Sequence, residues 1–140
     1  MDVGDADDIN NVETEKNKEE IVMKIMIPLD ENKVDVCVSF GRAPFFLLHD
    51  TESGNSECLE NPAAQSQGGA GIKAAQFVVD HHADVLITVR CGENAAEVFK
   101  ASGMKIYKAD GKSAEEEIIE LQEGRLGELT HFHAGFHGGH

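Results

Sequence analysis

The second half of the sequence alternates twice between a strand-like segment and a helix-like one. Residues 84–89 are apolar and β-branched, and residues 93–102 repeat apolar side chains at helical spacing. Residues 104–108 form the next strand-like segment, and Ser113, with Glu116 three positions later, predicts the capped start of another helix. Because a strand–helix–strand connection places its strands parallel in a sheet covered by helices, this alternation restricts the chain to an α/β fold.

Further strand-like segments precede this alternation. Residues 23–28 and 34–39 alternate at period two, and residues 45–50 are typical of a buried strand. Residues 57–61 are a candidate for a short strand that pairs back, and residues 70–79 show helical spacing after a glycine-rich loop. The whole pattern predicts a single α/β domain in which helices flank a mixed five-stranded sheet.

The charge balance and the cysteines exclude several classes of protein. The chain has 12 basic and 26 acidic side chains and a net charge of −14, which repels nucleic acid. No apolar run approaches the roughly 18 residues of a membrane span, and the acidic N-terminus differs from a signal peptide. The three cysteines form no CxxC pair, which excludes a disulfide scaffold. We therefore expect a cytoplasmic protein without nucleic-acid or membrane partners.

Composition divides the chain into three regions. Residues 1–22 hold eight acidic side chains against two lysines, which predicts a disordered acidic arm. Residues 23–129 carry the strand and helix pattern and form the predicted domain. Residues 130–140 are rich in histidine and glycine and lack periodicity, which predicts a flexible tail.

The predicted tail is a candidate metal-binding segment. Four of the seven histidines lie in the last ten residues, and imidazole groups on a flexible chain bind divalent metals such as zinc or nickel. The candidate ligands are His131, His133, His137 and His140. Their spacing matches no zinc-finger pattern. A divalent-metal-binding protein that acts through this tail is therefore an alternative function.

Three predicted turns carry candidate binding groups. Residues 66–72 bring glycines to a helix start, where free N–H groups attract anions, although such glycines also serve close helix packing. Residues 88–95 place Arg90 and Cys91 at the carboxyl edge of a parallel strand, where open α/β sheets bind ligands. Cys91 is interpreted either as a thiolate of lowered pKa that ligates a soft metal or as a small buried side chain. Arg42, in a tight turn, either binds an anion or pairs with an acid.

Catalytic patterns are weak in this sequence. Asp30, Asp50, Asp84 and Asp110 flank predicted strands, and a cluster of them would hold magnesium, as in a metal-dependent nuclease. Aspartate is also a common turn residue, and the acidity of the chain argues against a nucleic-acid substrate. No Gly-x-Ser-x-Gly motif occurs, and Cys91 has no obvious base. We therefore expect a protein that is not an enzyme.

Six short motifs occur in order between residues 23 and 107. They are Met23-Lys-Ile-Met-Ile-Pro28, Ser39-Phe-Gly-Arg-Ala-Pro-Phe-Phe46, Glu60-Asn-Pro62, Gly68-Gly-Ala-Gly-Ile72, Gly92-Glu-Asn-Ala95 and Ala101-Ser-Gly-Met-Lys-Ile-Tyr107. Together they resemble the dinitrogenase iron-molybdenum cofactor biosynthesis family, which includes NifX-like and NifB C-terminal-like domains. The resemblance covers roughly residues 23–127.

The resemblance implies a ribonuclease H-like motif and a protein that binds or carries metal–sulfur clusters or their precursors without catalysing a reaction. It places the family's binding features at Ser39, Gly41, Arg42, Gly69, Ala70, Gly71, Gly92 and Asn94. Ser39 stands where many relatives have a histidine, and Val89 where many have a glycine. Cys37, two residues before Ser39, is the candidate substitute for the missing histidine ligand.

The leading hypothesis is a carrier of an iron–sulfur or molybdenum–iron–sulfur cluster or its precursor. Its cleft combines Arg42, residues 69–71 and Cys91, with the histidine tail as an auxiliary metal contact. The expected partners are proteins that donate and accept the cluster. A regulatory interaction domain that has lost cluster binding is a further alternative.

Overall fold

Residues 22–132 are the part of the chain that the computed structural model describes. Its elements, in chain order, are β1 (Lys24–Leu29), β2 (Phe45–Asp50), β3 (Ser56–Glu60), α1 (Ala70–Asp80), β4 (Val85–Thr88), α2 (Glu93–Ser102), β5 (Lys105–Lys108) and α3 (Ala114–Gln122). The strands form one sheet in the order β3–β2–β1–β4–β5. β2 is antiparallel to both of its neighbours, β1 and β3, whereas β1, β4 and β5 are parallel. The predicted single α/β domain with a mixed five-stranded sheet and flanking helices is confirmed.

Apolar side chains cover both faces of the sheet. Met26 and Leu86 contribute to a core that includes Ala74 of α1 and Phe99 of α2, all fully buried. On the opposite face, Ile25, Ile27, Val85 and Ile87 belong to a second core with Ala114 and Ile118 of α3. Because successive side chains of β1 alternate between the two cores, that strand is apolar throughout. Helices α1 and α2 therefore share one face, and α3 covers the other.

The predicted strand over residues 34–39 is wrong. This segment forms only isolated bridges, from Val36 to Leu29 and from Asp35 to Ser113. Along its whole length β1 already pairs with β2, and β4 occupies the start of its other edge. The segment therefore reaches only the end of β1, and of its three valines only Val36 is buried.

The predicted arm and tail lie largely outside the described residues. Residues 1–21 of the predicted arm and residues 133–140 of the predicted tail are outside the part of the chain that the structure describes. Within residues 22–132, each helix is too short or too polar to cross a membrane.

Candidate functional site

Three turns meet at a cavity of about 610 Å³ beside the N-terminal ends of α1 and α2. The turns are residues 38–42, residues 67–72 and the segment that follows β4. Of the ten residues predicted to bind a cofactor, nine line this cavity: Ser39, Gly41, Arg42, Gly69, Ala70, Gly71, Arg90, Gly92 and Asn94. The structure therefore brings together turns that are distant in sequence, from Ser39 to Asn94, and of the ten predicted residues only Cys91 stays outside the lining.

The two helices that start at the cavity have no side-chain cap. Gly69 precedes α1 in a left-handed conformation with φ of 68°, and Gly92 precedes α2 in an extended one. Neither position provides a side-chain acceptor for the first N–H groups of its helix. In contrast, Ser113 and Glu116 form a complete capping box on α3, as predicted. The cavity therefore faces two positive helix ends whose first N–H groups have no side-chain cap among residues 22–132.

Gly41 allows a backbone to lie directly on the first turn of α1. A β-carbon at this position would stand 2.9 Å from the Gly71 nitrogen and 3.0 Å from the Gly71 α-carbon. Real β-carbons essentially never come closer than 3.0 Å to such atoms, so glycine is required by close approach. The contact keeps the loop that carries Arg42 against the start of α1.

Both arginines of the cavity lack a carboxylate partner among the described residues. The Arg42 Nη1 group donates to the Ser66 carbonyl oxygen at 2.6 Å and to the Ala64 carbonyl oxygen at 3.4 Å. Arg90 is exposed and forms no ion pair with any residue between 22 and 132. The described residues that line the cavity include these two cations and no acidic side chain. The cavity is therefore positive although the chain has a net charge of −14.

Sequence reasoning missed Asn61 and Thr88, which shape the loops of the cavity. Asn61 is buried and hydrogen-bonded on both sides of its amide group. The Thr88 hydroxyl is also buried and donates to the Arg90 carbonyl oxygen at 3.2 Å, which fixes the turn after β4. The Asn61 partners lie up to twenty residues away, so a single sequence carries no signal for them beyond the Asn-Pro motif.

The structure does not support the interpretation of Cys91 as a thiolate of lowered pKa. Its side chain is 1% exposed and belongs to the core between the sheet and α1 and α2. Burial raises the pKa of the Cys91 thiol to about 12, and its Sγ donates to the Gly92 carbonyl oxygen at 3.5 Å. The helix dipole and Arg90 do not offset the loss of hydration. The structure favours the alternative interpretation, a small buried side chain.

Cys37 also lies outside the lining of the cavity. Burial raises the pKa of its thiol above the ordinary value, and the nearby Asp30 carboxylate adds to the shift. Since residues 34–39 do not form a strand, Cys37 and Ser39 do not share the face of one. The geometry that suggested Cys37 as a substitute ligand beside Ser39 is therefore absent from the described residues.

The predicted metal ligands do not converge within residues 22–132. No group of three or more histidine, cysteine, aspartate or glutamate side chains in this range is arranged to hold a metal ion. His131 lines a neighbouring hollow of about 520 Å³ together with Arg90 and Lys108. The other three predicted tail ligands, His133, His137 and His140, lie outside the described residues.

The strand-flanking aspartates have structural partners instead of a common metal site. Asp84 accepts a hydrogen bond from the Lys24 backbone N–H group at 2.8 Å, and Asp50 accepts one from that of Glu52 at 2.9 Å. Asp110 forms an ion pair with Lys112 at 3.1 Å. These contacts are typical of turns and strand ends, so the geometry gives the nuclease alternative no support.

Comparisons with known proteins agree with this fold. The family model for "Dinitrogenase iron-molybdenum cofactor" matches residues 23–124. An uncharacterized protein of Methanocaldococcus jannaschii is 33% identical over 108 residues, which are 75% of this chain and 90% of that protein. The apo form of the orange protein from Desulfovibrio gigas superposes with a TM-score of 0.72 at 25% identity and covers 79% of this chain and 95% of that one. A NifB-like protein of Thermotoga gives a TM-score of 0.67 at 39% identity, with coverage of 79% and 96%.

Proposed function

Because the chain belongs to the dinitrogenase iron-molybdenum cofactor family, we propose that it is a non-catalytic carrier of a metal–sulfur cluster or its precursor. The cargo is an anionic cluster of the iron–sulfur or molybdenum–iron–sulfur type. The observation that carries the proposal is the cavity itself. Two helix starts without side-chain caps face it, together with two arginines that have no carboxylate partner in the described part of the chain.

Metal–sulfur clusters match the chemistry of this cavity. Their sulfides carry negative charge and accept hydrogen bonds, which backbone N–H groups and guanidinium groups donate. Three N–H groups at the start of α1 and three at the start of α2 precede the first intrahelical bonds, which Lys73 and Ala96 donate. A preformed anion therefore finds donors on two sides without any rearrangement of the backbone.

The cavity offers charge and hydrogen bonds rather than metal ligands. The described residues that line it include no cysteine, histidine, aspartate or glutamate. A cluster held there would keep its own ligands, and its release to an acceptor would break hydrogen bonds instead of metal–protein bonds. This mode of binding suits a carrier that receives its cargo from one protein and passes it to another.

The three free thiols at residues 37, 58 and 91 suit a reducing compartment, and we propose that the protein acts in the cytoplasm.

Reconstitution with iron, sulfide and molybdate under anaerobic conditions tests the proposal. After desalting, the parent protein is expected to retain colour and metal, whereas Arg42→Gln and Arg90→Gln each weaken binding about tenfold through loss of a charge-assisted hydrogen bond. Arg125→Gln is the matched control because it removes the same charge at the end of α3, outside the lining of the cavity. A colourless parent, or equal loading of all four proteins, would contradict the proposal.

Deletion of residues 133–140 separates this function from metal binding by the tail. The truncated chain is expected to load the cluster like the parent and to lose calorimetric binding of zinc or nickel. Loss of cluster loading on truncation would instead assign the function to the histidines.

A further inference from the structure

Asn61 connects two walls of the cavity. Its side chain is almost completely buried, with 6% of the residue exposed. One wall is the loop that carries Arg42, and the other is formed by residues 67–72. The segment from Ala63 to Ser66 leads directly into this second wall, and its Ala64 and Ser66 carbonyl oxygens accept from the Arg42 guanidinium group. We propose that Asn61 is a positioning residue that holds Arg42 at the cavity for the anionic cargo. This inference rests on the proposed function and adds a residue to it.

The amide nitrogen of Asn61 fixes the backbone on both sides of Arg42. Its Nδ2 group donates to the Gly41 carbonyl oxygen at 3.0 Å and to the Ala43 carbonyl oxygen at 2.8 Å. Both protons of the amide are therefore used, and each restrains one neighbour of Arg42. The Asn61 backbone N–H group adds a bond to the Pro44 carbonyl oxygen at 3.1 Å.

The amide oxygen of Asn61 fixes the segment that leads into the opposite wall. It accepts from the Ala63 backbone N–H group at 2.9 Å, and the Asn61 carbonyl oxygen accepts from that of Ala64 at 3.2 Å. The same segment then supplies the carbonyl oxygens that contact Arg42. The contacts close a ring from Asn61 through the Arg42 loop, across the guanidinium group and back to Asn61.

Asparagine combines the required groups in one short side chain. Two donors and one acceptor are in use, and aspartate, which has the same shape, would place a carboxylate against two carbonyl oxygens. Alanine would leave two buried carbonyl oxygens and one N–H group without their partner. In either variant the loop loses its attachment, so Arg42 must be ordered when the anion binds, which lowers the affinity.

A double-mutant cycle in cluster affinity tests the coupling. The four proteins are the parent, Arg42→Gln, Asn61→Ala and the double variant, and the probe is the cluster assembled from iron, sulfide and molybdate. Asn61→Ala is expected to weaken binding by about the same factor as Arg42→Gln, roughly tenfold, and the double variant by no more than either one alone. Asn61→Ser replaces Asn61→Ala if the alanine variant does not fold.

Asn32→Ala is the matched control for the loss of an asparagine. Asn32 also uses its amide for three hydrogen bonds, to Val34, to Asp35 and to the Asp35 carboxylate, but it lies outside the lining of the cavity. This variant is expected to lose stability without loss of affinity. If Asn32→Ala weakened binding as much as Asn61→Ala, the effect would be general destabilisation and the inference would be wrong.

A measurement without cargo completes the test. The chain has three arginines, so their side-chain Nε–H signals are assigned by single Arg→Gln variants. Asn61→Ala is expected to lower the heteronuclear NOE of the Arg42 signal and to leave those of Arg90 and Arg125 unchanged. An unchanged Arg42 signal would overturn the inference.

The outcomes separate the inference from the proposed function. If Arg42→Gln weakens binding and Asn61→Ala does not, or if the two effects multiply to about a hundredfold, the inference fails and the carrier function stands. If Arg42→Gln leaves the affinity unchanged, the proposed function fails and this inference fails with it.

Discussion

At the scale of single residues, the cavity depends on two glycine backbones in contact. Gly41 and Gly71 come from segments thirty positions apart, and the space between them excludes even a β-carbon on Gly41. A β-carbon on Gly71 itself would meet only the Ala95 side chain, at an ordinary 3.8 Å. The two glycines therefore differ in what they tolerate.

Gly41→Ala is expected to destabilise the protein by about 1–3 kcal/mol, because the clash is with backbone and one of the two segments must move. The displacement also separates Arg42 from the start of α1, so cluster affinity should fall. Gly127→Ala is the control, since a β-carbon there meets no atom within 4 Å. Urea unfolding and cluster titration of both variants check the prediction, and an unaffected Gly41→Ala would contradict the geometry.

The cysteines should differ strongly in reactivity. With its pKa raised to about 12, the Cys91 thiol holds a thiolate fraction of only about 10⁻⁵ at pH 7, and it is also shielded from reagents. Cys58 is exposed on β3. Iodoacetamide should label Cys58 in the folded protein and Cys91 only after unfolding, as read by mass spectrometry of peptides. Labelling of both at one rate would show that Cys91 is accessible.

At the scale of elements, the start of α3 contributes to stability, whereas the starts of α1 and α2 are available for binding. The start of α3 is closed by its own side chains, a contribution of about 1 kcal/mol from Ser113, whereas α1 and α2 start at glycines. Without a side-chain cap, α1 and α2 lack that stabilisation, and their first N–H groups remain available to a ligand. The helix starts at the cavity are therefore built differently from the one on the other face of the sheet.

Glu117 on α3 provides a pH dependence of stability. Its Oε2 atom accepts from the Asp110 and Lys112 backbone N–H groups at 3.0 and 2.9 Å, but its buried Oε1 atom has no partner among the described residues. Burial raises the pKa of the Glu117 carboxyl group above its ordinary value, and Asp110 adds to the shift. Because the pKa is raised in the folded state, protonated Glu117 favours folding. The resulting contribution to the free energy of unfolding is complete below the ordinary pKa of glutamate and is lost as the pH rises through the pKa of the folded state.

Glu117→Gln should remove this dependence because glutamine does not titrate. The free energy of unfolding of the variant, relative to the parent, should rise between the ordinary glutamate pKa and the raised one and stay constant above it. Urea unfolding of both proteins from about pH 4 to about pH 8 measures this difference. A difference that does not change with pH would show that the carboxyl group titrates normally.

Elements with a regular period are the predictable part of the fold. The β4–α2–β5 unit and the capping box of α3 were predicted because periodicity and cap chemistry are local properties. Residues 34–39 show the same local pattern as a strand, but the edges of β1 are already occupied by other strands where the segment would have to pair. Strand pairing is decided by competition between distant segments, which one sequence does not display.

The candidate site also has a part that the sequence predicts and a part that it does not. Glycines and arginines in turns at the carboxyl edge of a sheet are visible in the sequence, and these residues do share one cavity. The sequence left the protonation of Cys91 open between two interpretations, because burial depends on α1 and α2 packing over it. Asn61 was missed because its role exists only once two distant loops are in place.

At the scale of the whole molecule, global and local charge oppose each other. The chain has a net charge of −14, whereas the cavity carries two arginines and two helix N-termini. Repulsion from the whole molecule acts at long range, and it is screened beyond about 30 Å at 10 mM salt but beyond about 8 Å at 150 mM. The donors act at hydrogen-bonding distance, where screening is weak.

Salt should therefore speed the association of the cluster with the protein. Between about 10 and about 150 mM salt the association rate constant is expected to rise several-fold, because the repulsion on approach is screened while the contacts at the cavity persist. Stopped-flow absorption measures the rate, with the stability of the free cluster at each salt concentration as the control. A rate that falls with salt would mean that the local positive charge controls the encounter.

At the start of α1 the cavity is lined by Gly69, Ala70 and Gly71, whose only polar groups are those of the backbone, and this limits how the protein can be re-engineered. Replacing Ala70 or Gly71 with any amino acid other than proline leaves the same N–H groups at the start of α1. A designer who wishes to convert the scaffold to a cationic guest would gain little from substitutions there. The ligand selectivity of the cavity can be changed only at the other side chains that line it, among them Ser39, Arg42, Arg90 and Asn94.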